Sequence, residues 1–175
     1  MKIGIISDTH RNVQLLHDVA SWMVERKHVG AIFHLGDDFT DAKCLEDLGV
    51  SVAQVPGLYD EAYKNGTVAP SSSENILGLS ILLVHSIEKD LGPDDKMINQ
   101  IICHGHTHKH ELRIEDGVLY LNPGHCKGPI DKQQAASFAM LDIQDRHVKA
   151  EILNLKYETI AGIKMIREEN GLYRE

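Results

Sequence analysis

Thiols are scarce in this chain. Its 175 residues include three cysteines, Cys44, Cys103 and Cys126, at long spacings and with no C-x-x-C pair. Neither a disulfide framework nor a thiolate zinc site fits that pattern, and a reducing, cytoplasmic setting is the expectation. Long apolar runs are missing too. No stretch approaches the roughly 18 apolar residues of a membrane span. The "IGII" after Met1-Lys2 is too short for the apolar region of a secretory signal, so no membrane partner is expected. Positive charge is in deficit, with 18 Lys and Arg against 26 Asp and Glu and a net charge of −8. Such a chain has no general electrostatic hold on phosphate backbones, and stable nucleic-acid binding is not expected. A nucleotide stays open as a substrate, because bound cations reverse the local sign. Repeats, low-complexity tracts and inter-domain linkers are absent, so residues 1–175 read as one domain. A domain of that size needs no covalent staple.

What is present begins with short, nearly continuous apolar runs. "KIGIIS" (2–7), "GAIFHLG" (30–36) and "VSVAQVPG" (50–57) read as strands covered on both faces. Between the first two, Asn12 can cap a helix on which Val13, Leu16, Val19, Ala20 and Met23 recur at helical spacing to about Lys27. A shorter helix is expected over 40–49, with Gly49 at its C-terminal stop. Strand–helix alternation implies βαβ units and parallel pairing. The second half changes to strands and hairpins: two strands in 75–86, a helix start at 93–100, a strand at 100–105, and hairpins over 109–124 and 136–156. "APSSSEN" (69–75) reads as a mobile surface loop, and 157–175 as a short C-terminal helix. A helix-flanked β-sandwich and a single mixed sheet both satisfy this order.

Polar residues stop the apolar runs. Asp8 and His10 follow the first strand, Asp37 and Asp38 the second, and Leu58, Tyr59 and Asp60 the third after Gly57. His85 ends "ILLV", and "CHGHTHKH" (103–110) follows "QII". In α/β sheets, ligands gather at the carboxyl ends of strands. Carboxylate with imidazole is the donor set for borderline divalent ions such as Mn²⁺, Fe²⁺ or Zn²⁺. If residues 106–108 are extended, His106 and His108 project to one side with Cα atoms about 6–7 Å apart. That separation suits ligands on two ions about 3.5–4 Å apart. Singly, each of these groups is as compatible with a loop carboxylate or a packed histidine. Their order along the chain is what makes the set specific. His104 fits a buried place beside the sheet, and His110 a solvated start to the hairpin. His17, His28, His34 and His147 read as structural or surface groups.

"SDTH" (7–10), "HLGDD" (34–38), "VPGLYDE" (55–61), "VHS" (84–86) and "GHTH" (105–108) followed by "LNPG" resemble, in order, the motifs of calcineurin-like metallophosphoesterases. The chain is most similar to the small bacterial and archaeal phosphodiesterases that share a fold with the retromer scaffold subunit. The resemblance covers residues 2–124. It implies an α/β fold, a four-layer α/β/β/α sandwich of two mixed sheets flanked by helices. It implies two divalent metal ions, manganese foremost, with iron, zinc or nickel also suitable. Asp8, His10, Asp37 and His108 would hold the first ion. Asp37 would bridge to the second, shared with His85 and His106. The implied reaction is phosphodiester hydrolysis by a metal-bridged hydroxide on a small molecule or nucleotide.

Several positions depart from the family pattern. Where the family places an Asn ligand for the second ion, this chain has Leu58, which has no lone pair to give. Tyr59 stands where some members carry a histidine that assists the reaction, and either a phosphate contact or packing suits it. Asp60 matches and would act through hydrogen bonds behind the ligands. Arg11 replaces a frequent Gly, and either a phosphate contact or a solvated loop arginine suits it. Ser86 and His125 replace a usual Gly and Ser, and His125 brings another imidazole toward the rim. Leu58 leaves a second function class open: a catalytically weak scaffold of the same fold keeping one ion. Self-association is compatible with the sequence, though nothing in it specifies an interface.

Overall fold

The first strand explains the layering. Ile3 and Ile5 point to one side and Ile6 to the other, and all three are fully buried. Gly4 shares the side of Ile6, where a Cβ would lie 2.3 Å from Met23 Sδ, so its bare backbone seats the first helix. The computed structural model describes residues 1–175. In chain order the elements are β1 (Lys2–Ile6), α1 (Val13–Lys27), β2 (Ala31–His34), a 3-10 helical segment (Phe39–Leu48), β3 (Ser51–Gln54) and α2 (Glu61–Lys64). Next come β4 (Ser71–Ile76), β5 (Leu79–Val84), α3 (Ile87–Asp90), α4 (Asp95–Ile98), β6 (Ile101–Cys103), β7 (Glu111–Glu115) and β8 (Val118–Asn122). The chain closes with β9 (Ile130–Asp131), β10 (Gln134–Ala135), β11 (Ser137–Ile143), β12 (His147–Asn154), β13 (Thr159–Glu168) and β14 (Gly171–Arg174).

Two mixed sheets form the body, in strand orders β14-β13-β12-β11-β1-β2-β3 and β4-β5-β6-β8-β7, with β9 and β10 as a separate two-stranded ribbon. β1, β2 and β3 are parallel, as are β5, β6 and β8. The main core lies between the sheets and includes Ile3, Ile5, Phe33, Leu83, Ile101, Leu121 and Ile152. A second cluster, with Leu16, Val19, Met23, Ile32, Leu45 and Phe138, joins the larger sheet to α1 and the 3-10 segment. The fourth layer is thin. Outside the smaller sheet, Leu82, Val84, Ile102, Val118 and Tyr120 are covered in part by Ile87 and Leu91 beside the single turn of α3. This is the α/β/β/α sandwich.

α1 starts as its sequence requires. Asn12 Oδ1 accepts from Leu15 N at 3.3 Å, a cap of the kind that contributes about 1 kcal/mol. Leu16, Val19, Ala20 and Met23 form the buried stripe, while Val13 is exposed. Gly49 closes the 3-10 segment with φ +69°.

Two expectations fail. Residues 157–175 form strands β13 and β14, not a helix. Ile163 and Met165 are buried while Ile160 and Ile166 are exposed, so the working period is two. The apparent three-residue spacing of Ile160, Ile163 and Ile166 gave way to pairing with β12, which sets Met165 against Val148. Residues 69–75 are not a loop either: Ser71–Ile76 is the edge strand β4, paired along its length with β5. Its serines are poor strand formers, and register with the apolar β5 decides the outcome. No helix is long and apolar enough to cross a membrane.

Candidate metal centre

The carboxyl ends of both sheets' parallel strands meet on one rim. Pairing between β1 and β2 runs on until the polar residues leave, with Leu35 N bonded to Ile6 O at 2.9 Å and Asp8 N to Gly36 O at 3.0 Å. The chain then turns sharply. Asp8, His10, Asp37, His106 and His108 all have left-handed backbone, with φ between +47° and +69°. Arg11 and Asp38 beside them do as well. Such conformations are costly for residues with a Cβ, and they persist where surrounding contacts over-determine them. Here the contacts are visible. Asp41 Oδ2 accepts from Thr9 Oγ1 at 2.6 Å and from Arg11 N at 2.8 Å, fixing the first loop. Asp60 accepts from Phe39 N at 3.1 Å and from Gly57 N at 2.6 Å, tying the second loop to the third.

Two glycines make the approach of these loops possible. A Cβ on Gly57 would stand 2.0 Å from Asp37 Oδ1, and one on Gly105 would stand 2.0 Å from Ser7 Oγ and 2.7 Å from Asp8 Oδ2. Within that space, one donor atom each from Asp8, His10, Asp37 and His108 lies within 4.8 Å of all the others. His10 Nε2 and His108 Nε2 face each other at 3.2 Å. Asp8 Oδ1 is 3.4 Å from His108 Nε2, and Asp37 Oδ2 is 3.4 Å from His10 Nε2. The other oxygen of Asp37 turns toward His85, with Oδ1 at 3.3 Å from Nε2. The His106 ring lies edge-on to His85 at 5.1 Å between centroids. Asp8 Oδ1 and His85 Nε2 are buried without a hydrogen-bond partner. Buried atoms of this kind are normally satisfied. Oxygen and imidazole donors converging on one point, one of them orphaned, with a second orphaned imidazole on the far side of Asp37, fit divalent cations.

A family model for a calcineurin-like phosphoesterase superfamily domain matches residues 1–146. The chain belongs to that superfamily. No curated protein matches it. Among solved structures, a conserved uncharacterized protein of Streptococcus pneumoniae, described as a predicted phosphoesterase, is 21% identical with a TM-score of 0.73, covering 95% of this chain and 97% of its own. A novel archaeal phosphodiesterase is 22% identical with a TM-score of 0.70, over 87% of this chain and 100% of its own. Wild-type Vps29 of Entamoeba histolytica, complexed with zinc, is 20% identical with a TM-score of 0.69, over 95% and 99%. At these identities the likeness is one of fold.

The electrostatics of this phosphoesterase domain suit a cation. Burial pushes the Asp8 carboxyl up. The neighbouring His108, the charge of His85 and the bond from Ser7 outweigh it and hold Asp8 below the usual carboxylate range. Burial pushes Asp37 up, and neighbouring Asp8 adds to the effect. Burial would lower His108, but the Asp8 carboxylate beside it and the bond to Asp131 raise it. Carboxylates crowded together in a largely buried site, with imidazoles as their nearest counter-charges, are relieved by a metal ion.

Other residues singled out in the sequence fall around this centre. Tyr59 is 74% exposed and lines a cleft of about 230 Å³ with His10, Arg11, Asp37, Asp38 and Asp60. The Arg11 side chain is 85% exposed, with Nε 3.1 Å from Asp38 Oδ1. Leu58 sits half-buried in the turn between Gly57 and Asp60. His125 is buried near the rim, its ring 5.4 Å from that of His108. His104 is buried as expected, but His110 is half-buried rather than solvated.

Residues 104–110 are not extended, since β6 ends at Cys103 and both His106 and His108 are left-handed. The two rings therefore separate, one toward His85 and the other toward His10. Sequence reasoning also missed residues 127–134. Asp131 Oδ2 lies 2.5 Å from His108 Nδ1, and Lys132 lines a second cleft, of about 330 Å³, with Ser86, Glu88, His106 and Thr107. Neither residue follows an apolar run, so no strand-end signal marked it.

Proposed function

We propose that this domain is a metal-dependent phosphodiesterase using two divalent cations, with manganese the first candidate and iron, zinc or nickel the others. The observation that carries the reading is the convergence of four donor atoms from Asp8, His10, Asp37 and His108 within 4.8 Å. Those residues would hold the first ion. Asp37, whose second oxygen faces His85, would be shared with a second ion also held by His85 and His106. Bound there, the cations would supply Lewis-acid neutralisation of phosphoryl oxygens and activate water at neutral pH.

The remaining work belongs to the chain. Asp60 holds the two loops that carry Asp37 and Gly57. Arg11 and Tyr59 stand at the mouth of the 230 Å³ cleft. Lys132 forms no ion pair of its own and lines the 330 Å³ cleft with His106. Clefts on two sides of one centre support a diester, with one ester arm in each, over a monoester. The substrate class is accordingly a small or nucleotide phosphodiester.

The test is direct. Protein stripped of metal and reloaded with Mn²⁺ should hydrolyse bis(p-nitrophenyl) phosphate above the stripped control, and Asp37→Asn should abolish the difference. No turnover with Mn²⁺, Fe²⁺, Zn²⁺ or Ni²⁺ would overturn the reading. A second reading rests on Leu58: a scaffold module of this fold that keeps one ion and little catalysis. One tightly held ion per chain with no turnover would favour it.

A further inference from the structure

His108 uses both ring nitrogens. Nε2 faces His10 Nε2 at 3.2 Å and Asp8 Oδ1 at 3.4 Å, while Nδ1 lies 2.5 Å from Asp131 Oδ2. We propose that Asp131 is a positioning residue for the metal centre: its carboxylate accepts the hydrogen bond from His108 Nδ1–H, which keeps the proton on that nitrogen and leaves the Nε2 lone pair aimed at the cation. This rests on the reading above, in which His108 is a ligand.

Three features of the structure support the assignment. Asp131 is itself held, since Lys127 Nζ reaches its other oxygen, Oδ1, at 2.8 Å. Its carboxylate is therefore clamped between a lysine and an imidazole, one oxygen to each. Next, the residue sits on an element with few other duties. β9 and β10 form a ribbon of two residues per strand, with Lys132 and Gln133 at the turn and φ of +46° and +63°. A tight turn of that sign favours Asn or Gly, and here it has neither. Finally, the ribbon is fastened to the rim from the other side, where His125 Nε2 lies 3.0 Å from Gln134 O. A poorly favoured turn fixed by two rim imidazoles is a device for placing Asp131. A ligating imidazole needs such a partner, because either ring nitrogen can carry the proton and only one tautomer can ligate through Nε2.

The test uses the whole chain, stripped of metal, with Asp131→Ala and Asp131→Asn. Titration with Zn²⁺ or Mn²⁺ alone should show affinity reduced about 10–100-fold in Asp131→Ala. In Asp131→Asn the amide oxygen can still accept from Nδ1, and the loss should be smaller. The ¹⁵N resonances of the His108 ring in metal-free protein should report an Nδ1–H tautomer in the wild type and a mixture in Asp131→Ala. Affinity in Asp131→Ala equal to the wild type would overturn the inference. So would lost affinity with an unchanged His108 tautomer, which would make the residue merely structural. A wild-type chain that binds neither ion would instead sink the dimetal reading itself, and the inference with it.

Discussion

The two corners of the candidate centre are built to different standards. Around Asp8 and His108 the side chains are backed. Ser7 Oγ and His106 N donate to Asp8 Oδ2 at 2.6 and 3.0 Å, Asp131 takes His108 Nδ1, and Lys127 holds Asp131. Around His85 and His106 the backing is thinner. His85 Nδ1 is fixed by Leu35 O at 2.7 Å, but the His106 ring has no hydrogen bond, and Leu58 offers nothing to a cation. The contrast teaches that preorganisation is concentrated at the first corner, and that occupancy should follow it. On the proposed reading the first ion binds tightly, and the second is limited by ligand count.

The largest expected effect removes that contrast altogether. Asp37 faces both corners, so Asp37→Asn should weaken binding of both ions by more than about 100-fold, beyond what loss of a residue behind the ligands costs. Calorimetric titration with Zn²⁺ checks it; a variant retaining one ion at wild-type affinity would restrict Asp37 to a single corner. A smaller change sharpens the comparison. Leu58→Asn supplies a donor at the sparse corner and should raise second-ion affinity about tenfold, a ligand–metal gain of roughly 1.4 kcal/mol. Metal content per chain, measured by native mass spectrometry at limiting Mn²⁺, reads this out, with first-ion affinity unmoved.

Gly57→Ala tests the steric side. A Cβ there cannot share space with Asp37, so the loops must part, at a cost of about 1–3 kcal/mol in thermal stability. The metal-free variant should already show this loss as a lower melting temperature than metal-free wild type. The smallest effect concerns His34 beneath the first corner. Burial drives its imidazole down to about 4 from 6.5, so the folded state keeps it neutral where the unfolded chain would take a proton. Because the folded value is depressed, this stability is full above about 6.5 and is lost as pH falls toward 4. Between pH 7 and 5.5 the wild type should lose about 1 kcal/mol more than His34→Gln. Urea melts at the two pH values decide it, and equal losses would remove His34 as the cause.

The resemblance was legible because its signals are local. Apolar runs ended by Asp8, Asp37, His85 and His106 mark strand ends wherever they occur. Asn12 caps α1 through residues three apart, and Asp116-Gly117 turns the β7–β8 hairpin within its own four residues. These follow from backbone sterics and side-chain period, which the sequence carries alone. Tertiary structure decided the rest. β4 and β13 are strands because β5 and β12 offer partners, a contest settled by non-local hydrogen bonds against weak local preference. The left-handed turns at His106 and His108 exist because Asp8, Gly105 and Asp131 surround them, and no spacing in "CHGHTHKH" encodes that. Asp131 itself became visible only when the ribbon folded back across 23 residues to meet His108. Chain order determined which donor types were available; long-range packing determined which of their atoms face one another.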